Sequence, residues 1–287
     1  MRRFHYHEPQ SLAEASALLI KLGSAAHVMA GATDLLVEIR EDLRSCEHVV
    51  NIKKIAGLAE FSCDAEHGLR FGALVTARRI ETSPEVIALY PNLATAASQL
   101  GSIQVRNRAT VVGNICRASP SADTIPPLIA DGARLTVYSE AGEREVAIED
   151  FFTGPGRTVL KPGDIVTGVT VPPPAASSGR SYIKHGRRKA MELATVGVAV
   201  SLEQKDGKCR DIRIALGAVA PTPIRARKAE ALLRGRAIDA VLLAEAAETA
   251  MLESTPISNV RASAAYRREM VGVLTRRAIG YAMETAR

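Results

Sequence analysis

Residues 27–35 read His27-Val28-Met29-Ala30-Gly31-Ala32-Thr33-Asp34-Leu35. Positions 27–30 have the character of a short buried strand. A turn of small residues follows, and an apolar period of helical spacing starts at Leu35. A helix is expected over 34–43, with Leu35, Leu36, Ile39 and Leu43 as its apolar positions. Upstream, 11–22 reads as an amphipathic helix capped by Ser11, with Glu14 completing a capping box. Downstream, 49–52 reads as a second strand. Strand, helix and strand at this spacing predict a small parallel unit, because parallel strands need a crossover between them. Small residues where a strand gives way to a helix expose backbone N–H groups and admit a ligand closely. The N–H groups and the helix dipole favour an anion such as phosphate. The same residues equally make a plain strand–helix turn with Thr33 or Asp34 as N-cap.

A second stretch has a related character. Ala109-Thr110-Val111-Val112-Gly113-Asn114-Ile115-Cys116 continues through Arg117, Ala118, Ser119, Pro120, Ser121 and Ala122 to Asp123. Ser121 and Asp123 read as N-caps of a short helix that Pro126-Pro127 breaks early. Hydroxyl, amide and carboxylate groups in one run build a core poorly but can line a cofactor site. An irregular surface loop is the other reading.

The remainder divides into two segments. From near Gly57, strands are expected at 69–72, 133–139, 145–148 and 166–171, with Glu140-Ala141-Gly142 as a hairpin turn and helices at 83–90 and 92–100. Residues 172–180, opening with three prolines, read as a linker. Beyond it, strands at 181–184, 194–203 and 211–220 and helices at 225–233, 237–251 and 266–285 predict an α+β domain. Lys205-Asp206-Gly207 is the turn of its hairpin.

Composition narrows the function. Of 287 residues, 47% are hydrophobic, yet the longest nearly apolar run, 193–200, is far below the ~20 residues that span a bilayer. The basic start Met1-Arg2-Arg3 is followed by no apolar stretch, so no signal peptide is expected, and the location expected is cytoplasmic. The four cysteines are widely spaced and form no C-x-x-C pair, which argues against an internal iron–sulfur cluster, a zinc site or a disulfide framework. His5 and His7 share a strand face but read as surface residues rather than ligands. The net charge of +6 is dispersed, dense only at 184–189, and aromatic residues are 4%, so nucleic acid is not an expected partner. The charge fits an anionic cofactor, an acidic partner subunit or a solvated surface. No G-x-G-x-x-G, P-loop or G-x-S-x-G occurs, and acids and histidines form no metal-ligand cluster. Hard chemistry would then belong to a bound organic cofactor.

Taken together, the two stretches resemble those of the FAD-binding medium subunits of molybdenum hydroxylases, a family that includes xanthine dehydrogenase FAD subunits and carbon monoxide dehydrogenase medium subunits. Ala30-Gly31-Ala32-Thr33-Asp34 is similar to the family's A-G-G-x-[ST/D], and Thr110-Val111-Val112-Gly113-Asn114 to its [TS]-[IV]-G-G-N. Gln104-Val105-Arg106-Asn107 before the second loop and Ala118-Ser119-Pro120-Ser121-Ala122-Asp123 after it also match. The likeness continues to Arg261 and Tyr266, covering essentially the whole chain. Phe152-Thr153-Gly154-Pro155-Gly156 and Ala220-Pro221-Thr222-Pro223-Ile224-Arg225 lean toward the xanthine dehydrogenase or N-heteroaromatic branch.

The resemblance implies an α+β chain: a two-lobed FAD-binding domain of the vanillyl-alcohol-oxidase (PCMH) type over 1–174, with lobes about 1–56 and 57–174, and a small C-terminal α+β domain over 180–287. It implies that 28–35 wraps the pyrophosphate of FAD and 110–114 completes the cradle. Asp123 would bond ribityl or ribose hydroxyls, Leu100 and Val166 would pack near the rings, and Lys184 would sit by the flavin. Molybdopterin would be held by a large partner subunit and 2Fe–2S clusters by a small one. This chain would pass their electrons to NAD, oxygen or a quinone. Ala32 and Val112 stand where the family usually has glycine. Should either position need a positive φ, its Cβ costs on the order of 1 kcal/mol, and the β-branched Val112 is the worse case. A self-contained FAD oxidase or reductase, and an assembly subunit without flavin, are the alternative readings.

Overall fold

The computed structural model describes residues 3–286. At its N-terminal end the expected parallel unit is present. Strands His5–His7, Ala26–Met29 and His48–Asn51 form one sheet, all parallel, with His48–Asn51 in the middle. Helix Leu12–Leu22 crosses between the first two. Ser11 Oγ accepts the Glu14 N–H at 3.2 Å, while the Glu14 carboxylate reaches back to the Gln10 N–H at 2.8 Å, one residue ahead of the usual box partner. The helix expected over 34–43 is shorter, Leu35–Arg40. Asp42 enters the left-handed region at φ 58°, and the Leu43 N–H donates to the Glu38 carbonyl at 2.8 Å, the pattern of a Schellman end. Leu43, counted as apolar helix surface from the sequence, is therefore outside the helix and 77% exposed.

The middle of the chain builds a five-stranded antiparallel sheet in the order Phe61–Asp64, Gly68–Gly72, Ile165–Val171, Arg134–Ser139, Gly142–Ala147. Its central strand is the last to be made, so this sheet closes only after a long excursion through helices Ala77–Thr82, Pro84–Leu89, Pro91–Ser98, Ile103–Arg106, Val111–Arg117 and Ile125–Ala130. Pro126-Pro127 does not break the last of these. Both prolines lie in its first turn, where a missing N–H has no intrahelical partner to lose. Ser121 and Asp123 do not cap it. Thr124 stands at the cap position, and its hydroxyl donates instead to Asn114 Oδ1 at 2.7 Å.

The C-terminal sheet is antiparallel in the order Ser178–His185, Val196–Lys205, Lys208–Gly217, Ile224–Arg225. The stretch read as a linker is thus shorter, because Ser178, Gly179 and Arg180 already pair in the sheet. Asp206 and Gly207, at φ 52° and 72°, form the tight turn that a two-residue hairpin of matching twist requires. Helices Arg227–Leu233, Ala240–Glu253 and Ala264–Thr285 cover one face. On the other face, Tyr182, Ala199 and Ala215 join the main core of the first two units. The Arg180 guanidinium meets the Asp131 carboxylate at 2.8 Å across that junction, with both side chains buried. Ser16 Oγ likewise donates to the Gly163 carbonyl at 2.8 Å, tying the first helix to the loop ahead of the central strand.

Candidate functional site

Between the N-terminal and middle units lies a cavity of about 1010 Å³, at the carboxyl end of strand Ala26–Met29. Most of the residues singled out from the sequence line it: Val28, Ala30, Gly31, Ala32, Thr33, Asp34 and Leu35 from the first loop, Thr110, Val112, Gly113 and Asn114 from the second, and Leu100, Asp123 and Val166. Three are elsewhere. Met29 points away and packs with Ile39, Cys46 and Val49 beneath the turn. Val111 is fully buried in the main core. Lys184 sits behind Asp123 rather than on the cavity wall.

The two loops meet backbone to backbone. A Cβ on Gly31 would stand 2.2 Å from the Arg108 carbonyl oxygen and 2.9 Å from Ala109 Cα, far inside contact distance. Only glycine permits this approach. The next residue, Ala32, has φ 65°, so the left-handed cost foreseen from the sequence is real at this position. Val112 differs. It lies in helix Val111–Arg117 and is not strained; the branched side chain is buried and faces the cavity from a regular turn. Thr110 caps this helix, its Oγ1 accepting the Gly113 N–H at 3.0 Å, and the Val111 N–H is taken by the Val75 carbonyl at 3.3 Å. Among the described residues, nothing in the chain accepts the N–H groups of Gly31, Ala32, Thr33 or Asp34. Helix Leu35–Arg40 is too short for its dipole to matter much, so these successive donors are the main source of anion affinity in the turn.

Several wall residues escaped the sequence reading. Arg44 and Arg117 both pair with Glu38, at 2.5 and 2.6 Å, and with the Asp34 carboxylate of the turn beside them the charges on this wall balance. Residues 160–165 form another wall. There Asp164 binds Arg144 at 2.6 Å and accepts the Lys161 N–H at 2.7 Å. Burial alone would raise the Asp164 carboxyl, but Arg144 and the Lys161 N–H outweigh it and hold the group below the ordinary carboxylate range. Met191, Glu192 and Leu193 reach the cavity from the C-terminal unit, and the left-handed Met191, φ 53°, shapes that approach. Neither group stands out as part of the site in the sequence, since both reach the cavity only when a distant segment folds back. Cys116 also lines the cavity, but burial pushes its thiol up to about 12, so it is inert as nucleophile or ligand. No three described His, Cys, Asp or Glu residues are grouped to hold a metal, and no described helix is long and apolar enough to cross a membrane.

Asp123 is the junction with the C-terminal unit. Tyr182 OH donates to its Oδ1 at 2.9 Å, and Lys184 Nζ to its Oδ2 at 2.8 Å and to the Gln99 carbonyl at 3.1 Å. Desolvation pushes the Asp123 carboxyl upward against the pull of Lys184 and Tyr182. With an ammonium and a hydroxyl both in contact, the group is a hydrogen-bonded ion pair. Tyr182 was legible in hindsight, because alternation on the strand puts it on the same face as Lys184.

Known proteins bear out this architecture. The family described as the FAD binding domain in molybdopterin dehydrogenase matches residues 2–174, and that described as the CO dehydrogenase flavoprotein C-terminal domain matches 181–282. The putative xanthine dehydrogenase FAD-binding subunit of Escherichia coli strain K12 is 32% identical, covering 98% of this chain and 96% of its own. The carbon monoxide dehydrogenase medium chain of Afipia carboxidovorans is 33% identical, covering 99% and 98%. Among solved structures, a carbon monoxide dehydrogenase chain from Hydrogenophaga pseudoflava superposes with a TM-score of 0.95 at 35% identity, covering 99% of this chain and 98% of that one. A chain of quinoline 2-oxidoreductase from Pseudomonas putida 86 gives 0.91 at 32%, covering 99% and 98%.

Fold and cavity together define a flavoprotein with FAD as its cofactor. The chain belongs to the FAD-binding medium subunits of the molybdenum hydroxylase family, an oxidoreductase family. Identities of 32% and 33% to the xanthine and carbon monoxide dehydrogenase relatives do not separate those branches, so the lean read from two short motifs finds no support there.

Three substitutions check the geometry. Gly31→Ala is expected to force the loops apart and abolish stoichiometric FAD in the purified protein, read from its visible absorption; normal loading would contradict the contact. Ala32→Gly removes a left-handed Cβ and should raise stability by about 1 kcal/mol in urea unfolding, where a loss would show that the strain is absent. Asp164→Asn tests the paired carboxylate. Because the folded group is held below its unfolded range, the pair's contribution is complete at neutral pH and is lost as the pH falls through the folded value. The variant should be less stable by about 1 kcal/mol at pH 7, Arg144 being partly solvated, and should converge with the parent in acid. A difference independent of pH would refute the assignment.

Proposed function

We propose that the cavity holds FAD with its pyrophosphate against Gly31, Ala32, Thr33 and Asp34, and that the chain relays electrons inside a heteromeric molybdenum hydroxylase. The observation that carries this is the run of unpartnered N–H donors held beside the second loop by the Gly31 contact. Consecutive amide donors in a concave turn suit an anion, and Arg44 and Arg117 stand on the same wall. Val112–Asn114 would close the cradle, and Leu100, Val166 and Ile52 offer an apolar bed for the rings. Asp123 lies where it can accept from a ribityl or ribose hydroxyl.

Bound there, FAD would supply the ability to take electrons and to hand them on to an acceptor. The chain's own residues bind and orient the cofactor and exclude water from it. Lys184 and Tyr182 act through Asp123: they fix its carboxylate as an acceptor aimed along the cavity wall. We assign 1–174 as the FAD-binding domain, with lobes about 1–56 and 57–174, and 180–287 as the C-terminal domain.

Relatives named as medium chains, and one named as a subunit of a 6-hydroxypseudooxynicotine dehydrogenase complex, support partner subunits. We infer a large molybdopterin subunit that oxidises substrate and a small 2Fe–2S subunit that feeds this chain. We infer a substrate of the xanthine or N-heteroaromatic type from residues 152–156 and 220–225 alone, because the relatives' identities do not separate the branches. Affinity purification from the native cell tests the whole reading. The expected material contains this chain with stoichiometric FAD, molybdenum and iron. A properly assembled complex without flavin, or a flavoprotein that turns over substrate without partners, would overturn it.

A further inference from the structure

We propose that His7 and His48 form a binding site for a divalent transition-metal ion of the zinc type, at the edge of the N-terminal sheet. Such an ion would tie the edge strand His5–His7 to the middle strand His48–Asn51.

The two strands run parallel, with His5 opposite His48, Tyr6 opposite Val49 and His7 opposite Val50. Side chains alternate along a strand, so His5, His7 and His48 share one face and Tyr6 takes the other. His7 Nε2 and His48 Nδ1 meet there at 3.0 Å, and both residues are partly exposed. Ring nitrogens this close share a proton or an ion. The outer nitrogens, His7 Nδ1 and His48 Nε2, have no hydrogen-bond partner among the described residues. Each ring can therefore carry its proton on the outer nitrogen and turn a lone pair inward. In His27, His67 and His185 a ring nitrogen is already engaged, by the Ser45 carbonyl, Asp64 and Tyr266.

The centres of the His7 and His48 rings stand 5.2 Å apart. Two imidazoles on one tetrahedral ion, with bonds of about 2.0–2.1 Å, hold their centres about 5.2 Å apart and their nitrogens about 3.3–3.4 Å apart. The rings are thus already at chelating separation, and only the nitrogens must swing, by a few tenths of an ångström. Square-planar or octahedral binding would draw the centres about half an ångström closer, which two strands in fixed register resist. His5 is not a third ligand. Its ring stacks on that of His48 at 5.0 Å and 22°, and stacked rings carry their lone pairs in near-parallel planes that do not converge on one ion. Two waters would complete the shell. On binding, the proton of the N–H···N contact moves to an outer nitrogen, so neither ring changes its charge.

The strand His5–His7 has three residues and a single neighbour in its sheet, and on its other face Asn51 Nδ2 donates to Tyr6 OH at 2.6 Å. An ion on the histidine face closes the segment from 7 to 48, which contains helix Leu12–Leu22, strand Ala26–Met29 and the loop 28–35. Metal binding and the folding of this unit are then linked, because an ion that binds only the folded pair stabilises it. Neither His7 nor His48 lines the large cavity, so the site is separate from it.

The test is calorimetric titration of zinc chloride into the full chain, in a buffer that does not itself bind zinc. One ion per chain is expected to bind, about tenfold or more weakly in His7→Asn/His48→Asn and unchanged in His5→Asn and His67→Asn. Binding should also weaken as the pH falls, because protons compete for the ligand nitrogens. Zinc in excess should raise the melting temperature of the parent and leave that of the double variant where it was. If the double variant fails to fold, His7→Asn alone carries the test, since a single imidazole cannot chelate. Absent saturable binding, equal binding by parent and double variant, or an equal loss in His5→Asn would each overturn the proposal; the first leaves the pair as a plain N–H···N hydrogen bond.

Discussion

Everything about the cavity depends on one contact, the backbone of Gly31 lying against Arg108 and Ala109. Two loops nearly eighty positions apart in the chain meet without a side chain between them. Any Cβ at Gly31 would overlap the Arg108 carbonyl, so the contact is set by sterics rather than by attraction. Once made, it holds the first loop, whose N–H groups find no acceptor in the chain, alongside the cap of helix Val111–Arg117. The rest of the fold supports that meeting. Ser16 holds Gly163, Thr124 holds Asn114, and Arg180 with Asp131 locks the C-terminal unit behind.

The structure pays a local cost for this arrangement at Ala32. A left-handed alanine is tolerated only where its surroundings over-determine it, and such positions concentrate at functional sites. Here the neighbours on each side are constrained: Gly31 by its contact, and Asp34 by the helix that starts at Leu35. The N–H groups left without acceptors are part of the same economy, because a turn that satisfied them internally would have nothing to offer an anion. Asp123 shows the opposite strategy. Its carboxylate is buried but doubly hydrogen-bonded, so burial and orientation coexist.

Much of this was legible in the residues themselves. The parallel unit followed from periodicity, the capping role of Ser11 from its spacing to Glu14, and the hairpin from Asp206-Gly207. The two loops were found because small residues at element boundaries carry a distinct signature, and family resemblance joined them. Helix ends were less legible. Apolar residues continue the period past Arg40, and only the left-handed Asp42 stops it. Pro126-Pro127 was misread because proline breaks a helix interior but suits a first turn, and sequence alone does not say which turn it occupies. At Val112 a cost would arise only with a positive φ, and the helical backbone there makes the family's glycine unnecessary. Walls formed by Arg44, Asp164 and Glu192 were invisible because each comes from a segment that reaches the cavity only through tertiary packing.

The most direct test is an experimental structure of the chain loaded with FAD. The account predicts pyrophosphate oxygens at hydrogen-bond distance, about 3 Å, from the N–H groups of Ala32, Thr33 and Asp34, with Gly31 still seated on Arg108 and Ala109. A pyrophosphate bound away from this turn, or loops that separate when the cofactor enters, would contradict it.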